Sequence, residues 1–182
     1  MRNVWLLGLL MLAQVGFGQK YFSKTGKISF YSDAPLEKIE AHNTTASTVI
    51  DIEAGSMEWA VLIQGFSFKK ALMQEHFNEN YMESGKYPKG KFKGKIDNID
   101  KVDFKRDGEY PVTVSGELDI HGVTRPVTAQ GVIKVADGAF SASSKFRIKI
   151  ADYNIGVEKH LIDNIAKEVD ITVQADYKPL SM

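Results

Sequence analysis

Tyr110-Pro-Val-Thr-Val-Ser-Gly-Glu-Leu-Asp-Ile120 decides the fold class. Tyr110, Val112, Val114, Gly116, Leu118 and Ile120 share one parity, and Pro111, Thr113, Ser115, Glu117 and Asp119 share the other. A period of two with one apolar face describes a half-buried antiparallel strand. The run that follows repeats the pattern, with Val127, Ala129, Gly131, Ile133 and Val135 on one side and Val132 as the apolar exception opposite. His121-Gly-Val-Thr-Arg-Pro126 lies between them, punctuated by Gly122 and Pro126, and reads as a hairpin with a longer loop.

The rhythm continues outward. Ala136-Asp-Gly138 signals a turn into Ala139–Ile150, where Phe146, Ile148 and Ile150 alternate with Lys145, Arg147 and Lys149. Val169–Tyr177 is the last strand, and Pro179 stops it. Upstream, Lys27–Tyr31, Ile39–Asn43, Thr48–Glu53, Met57–Ile63 and Lys91–Ile99 also read as strands. About nine strands are enough to close a sheet on itself. One stretch breaks the pattern: Phe68–Ser84 holds helix formers, with Phe68, Leu72, Phe77 and Tyr81 near one face and Gly85 as a stop. His160–Ala166 is a weaker helical stretch. No fixed repeat or linker divides the chain, so one domain over residues 19–182 is expected.

The first eighteen residues read as a leader. Arg2 supplies a positive charge, Val4–Val15 is apolar apart from Gly8 and Gln14, and Gly16-Phe-Gly18 offers small residues before Gln19. That pattern is a cleavable secretory signal peptide, and its apolar run is shorter than the ~20 residues of a membrane span. The expected location is therefore secreted, in a bacterial periplasm, without stable membrane insertion. Lysine plus arginine and aspartate plus glutamate number 23 each, a balance that argues against nucleic acid as partner. The chain has no cysteine, which removes disulfides, thiol catalysis and thiolate metal sites. The core alone must hold the fold.

Catalytic and metal signatures are missing. His42, His76, His121 and His160 are scattered, and Glu75-His76 lacks the second histidine of a zinc helix. No G-x-S-x-G elbow or glycine-rich phosphate loop occurs. Asp97, Asp100 and Asp103 read as loop-solvating carboxylates, and Asn43-Thr-Thr45 as an idle glycosylation match. What the chain offers is one apolar parity on many strands. Periodicity leaves two readings open, a barrel filled by its own core or one holding a small ligand. Gly116 and Gly131 fall on that parity, where a missing side chain leaves room or permits a bend.

Two segments resemble the YceI-like family. Glu75-His-Phe-Asn-Glu-Asn-Tyr-Met-Glu-Ser84 with Lys86-Tyr-Pro88 and Lys91-Phe-Lys-Gly94 is similar to its helix, lysine-tyrosine-proline turn and following strand. Gly116-Glu-Leu-Asp-Ile-His-Gly-Val-Thr-Arg-Pro-Val127 is similar to its strand, turn and next strand. Ile28-Ser-Phe30 and Asp152-Tyr-Asn-Ile155 support the match. Met73-Gln-Glu75 departs from an arginine-aspartate pair common in the family, and Asn154 stands where glycine is usual. The resemblance implies an all-β, lipocalin-like antiparallel barrel of eight strands with one or two helical additions. It also implies a carrier of a polyisoprenoid or quinone-like lipid, with no cofactor and no catalytic residue. His76, His121, Gly122, Thr124 and Pro126 match its motifs and are read mainly as structural.

The candidate ligand-lining residues are Trp59, Val61, Phe66, Phe68, Leu72, Phe77, Phe92, Val114, Leu118, Ile120, Phe146, Ile148 and Ile171. The rival expectations are an envelope interaction protein with a filled barrel, and an enzyme using His76 or His121 as a base. A homodimer stays open.

Overall fold

The computed structural model describes residues 19–180. The leader expected over residues 1–18 lies outside them. The alternating runs form strands β1 (Lys20–Asp33), β2 (Lys38–Asp51), β3 (Ser56–Leu62), β4 (Ser67–Phe68), β5 (Lys89–Ile96), β6 (Gly108–Ile120), β7 (Val123–Ala136), β8 (Ala139–Lys149) and β9 (Glu168–Pro179). Neighbours pair antiparallel in the order β1-β9-β8-β7-β6-β5-β3-β2, and β1 also pairs with β2. That last pairing closes an eight-stranded barrel and leaves no free edge around most of its circumference. The two-residue β4 adds to β2 at Ala41↔Phe68 and His42↔Ser67.

The segments Ile39–Asn43 and Thr48–Glu53, read separately in the sequence, are one strand. The β1–β2 ladder absorbs the irregularity by shifting register on either side of Gly26↔Ala46. Such a bulge bends the sheet where the barrel must curve. Gly26 is required there, since a Cβ on it would lie 2.9 Å from the Trp59 ring.

The β6–β7 hairpin is tighter than expected. Ile120 pairs with Val123, leaving His121 and Gly122 as a two-residue turn with φ of 54° and 72°. Positive φ at both central residues matches the right-handed twist of the flanking strands. Pro126 therefore sits inside β7, opposite Glu117. Counting alternately from the hydrogen-bonded closing pair, its nitrogen faces away from β6. On that side the β7–β8 ladder runs only from Gly131↔Ser144 to Ala136↔Ala139. The proline thus costs no ladder bond.

The segment 150–153 closes the upper part of this seam. Arg125 Nε donates to the Asp152 carbonyl at 3.1 Å, and His121 Nδ1 lies 3.1 Å from the Tyr153 carbonyl. His121 Nε2 also lies 2.8 Å from the Glu83 carboxylate, so the turn ties the helical segment to the seam. Asn154 takes φ of 56°, a left-handed conformation that asparagine tolerates better than most residues in place of glycine.

The expected helix over Phe68–Ser84 is shorter. Ala71–His76 forms α1, a π-helical turn follows over Phe77–Tyr81, and Phe68 belongs to β4. The Lys70 side chain at the N-cap makes no capping bond to the helix, so α1 rests on its packing rather than on capping. His160–Ala166 holds no α-helix, only the end of a 3-10 turn over Lys159–Leu161.

The two ends of the barrel differ. The end carrying residues 52–55, 97–107 and the Asp137-Gly138 turn is solid, with Ile50, Ile133, Val112, Val135 and Ala175 at 3 % exposure or less. Phe140 packs at 4.9–5.0 Å between ring centroids against Tyr21, Phe104 and Tyr177. The Tyr177 and Thr48 hydroxyls are 3.0 Å apart inside this core. Burial pushes the Tyr177 phenol up to about 12, against a smaller opposing effect from Thr48. A raised phenol pKa keeps the proton on in the folded state while the unfolded chain releases it. Stability should therefore fall as pH rises from about 10 towards 12, by up to about 3 kcal/mol. Urea melts across that range should show the loss, and Tyr177→Phe should flatten it.

Candidate ligand site: the hollow half of the barrel

Above the solid end, the same inward parity encloses a cavity of about 340 Å³. Met57, Ile96, Val112 and Ile133 are its floor, shared with the packed core. Trp59, Val61, Phe92, Val114, Leu118, Ile120, Phe146, Ile148 and Ile171 are walls. Nearly all of this surface is apolar. From Val112 to Ile120 an inward row advances ~27 Å along β6 at the usual rise, which suits an elongated guest better than a compact one.

The far end is covered by aromatic rings. Phe30 stacks on Phe77 at 5.4 Å, Phe68 meets Phe77 at 5.0 Å, and Phe66 lies 5.7 Å from both Phe30 and Phe77. β4 delivers Phe68, the residue just before it is Phe66, and the turn of the helical segment delivers Phe77, Tyr81 and Met82. Tyr81 is held above the ordinary tyrosine range by burial and, secondarily, by the charge of Glu158.

Twelve of the thirteen residues singled out in the sequence line this cavity, and Leu72 does not. Leu72 is 61 % exposed. The inner stripe of the helical segment is Met73, His76 and Phe77, spaced i, i+3, i+4, and Leu72 falls about 100° away from Met73. Phe30, Ile28, Ile39, Met73 and Tyr81 also line it without having been singled out. Ile28 and Phe30 were visible as one parity of the first strand. Gly116 makes no room: it faces Gly94 across β5–β6, and a Cβ on it would lie 2.7 Å from the Phe92 ring. Gly131 does line the cavity, at the point where β7 and β8 part.

Polar groups in the lining are few. Ser143 and Ser144 stand where β7 and β8 part, with the Ser144 hydroxyl donating to the Gln130 carbonyl at 2.6 Å, and most of the others lie at the α1 end. Ser32 Oγ already accepts the Ala166 N–H at 3.0 Å. Glu37 holds Lys70 at 3.0 Å, and His76, Tyr81 and Asn164 complete the rim. His121, although paired with Glu83, faces the seam and is not among the lining residues. Asp103 accepts the Lys105 N–H and caps its own loop. Asn43 is 1 % exposed and bonds Leu62 and Thr45 through its side chain, a structural post. Among the described residues, no group of three or more His, Asp or Glu side chains is placed to hold a metal ion, and no helix is long and apolar enough to cross a membrane.

Hollow and solid halves should respond differently to truncation. Ile133→Ala in the floor should cost about 2–5 kcal/mol, while Phe146→Ala or Ile171→Ala, on walls that already face open space, should each cost about 1–2 kcal/mol. Denaturant melts measure both.

The sequence of residues 19–177 matches the family model of the YceI-like domain. No curated protein matches the chain. Among solved structures, a polyisoprenoid binding domain from Saccharophagus degradans implicated in plant cell wall breakdown is 16% identical, with a TM-score of 0.77 over 89% of this chain and 99% of that one. BcnA of Burkholderia cenocepacia is 18% identical, with a TM-score of 0.68 over 84% of this chain and 96% of that one. The YCEI protein of Campylobacter jejuni is 18% identical, with a TM-score of 0.55 over 78% and 85%.

Proposed function

The chain belongs to the YceI-like domain family, and from that premise we propose that it is a carrier, exported to the bacterial periplasm, that holds one long apolar lipid of the isoprenoid or quinone type. The observation that carries this reading is the apolar cavity in the upper barrel. Binding there works by burial and makes no bond. Each methylene removed from water contributes about 0.8 kcal/mol, so a long chain is held without a charged anchor. The Saccharophagus degradans neighbour, described as polyisoprenoid binding, supports the ligand class. The filled-barrel alternative accounts for the solid half of the interior only.

The test is direct. The mature protein is purified from periplasm without detergent, and an organic extract is examined by mass spectrometry. The expected result is a stoichiometric isoprenoid-type lipid on a chain whose mass begins at Gln19. An extract that stays empty after incubation with membrane lipids would overturn the carrier reading.

A further inference from the structure

The rim of the cavity carries information about the head of the guest, given the carrier reading. Four lining residues have ionisable side chains: Glu37, His76, Tyr81 and Lys91. Lys91 is exposed and has the outward parity of β5, opposite Asp119 and Ala60, while its neighbours Gly90 and Phe92 face in. Among the rim residues that line the cavity, the one with a fixed charge is therefore the Glu37 carboxylate. The same lining carries neutral hydrogen-bonding groups, the Tyr81 hydroxyl and the Asn164 amide, with the His76 imidazole on α1.

The cationic groups that would recognise a phosphate lie outside the lining or, as Lys91 does, face away from it. Arginine, whose fork matches phosphate geometry, occurs three times among the described residues. Arg106 lies at the solid end, Arg125 donates to the Asp152 carbonyl, and Arg147 is held by Asp170 and Glu168. Of the lysines at the rim, Lys70 is bound by Glu37 at 3.0 Å and Lys38 by Asp33 at 3.6 Å. Lys69 and Lys159 stand at the same end but outside the lining. A diphosphate head would bring several negative charges against Glu37 and compete with it for Lys70.

We infer that the mouth selects a lipid with a neutral, hydrogen-bonding head, an alcohol or a quinone, over the same chain ending in a diphosphate. Glu37 is the residue that enforces the choice, by accepting a bond from a hydroxyl and repelling an anion.

The experiment compares geranylgeraniol with geranylgeranyl diphosphate as competitors for a fluorescent apolar probe, on the wild-type protein and on Glu37→Gln. The wild type should bind the alcohol at least about tenfold more tightly. In Glu37→Gln the gap should close mainly through tighter diphosphate binding, because Lys70 is released and the repulsion is gone. Equal or tighter diphosphate binding by the wild type would overturn this inference and leave the carrier reading standing. A Glu37→Gln protein with an unchanged ratio would remove Glu37 from the choice. Displacement of the probe by neither lipid would count against the carrier reading itself.

Discussion

An eight-stranded barrel has room inside for its own side chains or for one slender guest, and the structure depends on which occupies each level. Closure by β1 on both β2 and β9 fixes the girth, so inward residues at the solid end must meet across the axis. They do so as Phe140, Tyr177, Ile133 and Ile50, ordered by ring packing and one buried hydroxyl pair. Higher up, the inward side chains stand around a gap that they do not fill. The same alternation that builds the walls thus produces an anchor at one end and a binding space at the other.

The covering end is built from separate pieces held by specific contacts. β4 and the residue before it bring Phe68 and Phe66 over the mouth, α1 and its π-helical continuation bring Met73 and Phe77, and His121 links this segment to the loop that closes the β7–β8 seam. The Gly122 turn fits under the Tyr87 ring, where any Cβ would collide at 2.5 Å. These contacts position the aromatic cover without using a polar group of the cavity. The interior stays free for burial, since the Ser144 hydroxyl on its wall is already bonded to the Gln130 carbonyl, and most of the other hydrogen-bonding groups gather at the rim.

Much of the barrel was legible because a strand period of two is a local signal. The inward set of β6 and β7 needed nothing beyond alternation, and the same reading found most of the cavity wall. What escaped depended on distant partners. Leu72 was placed inward by a helical face that included Phe68, a residue that β2 recruits as a strand. Gly116 resembled a gap until Gly94 and the Phe92 ring were seen to occupy it. The loop at His121 looked long because Pro126 resembles punctuation, and only the missing β8 partner shows why proline fits within the strand. Whether a barrel is hollow is set by volumes across the axis, which no single strand records.

The central claim is that the interior is divided, solid below Val112 and Ile133 and open above them. A crystal structure of the mature protein grown with a bromine-tagged isoprenoid chain tests it most directly, since anomalous scattering locates the tag without ambiguity. The account predicts one chain threaded between Phe77 and the Met57–Ile96–Val112–Ile133 floor, with the tag above that floor. A tag found beside Tyr177 and Phe140, or on the outer surface of the barrel, would contradict it.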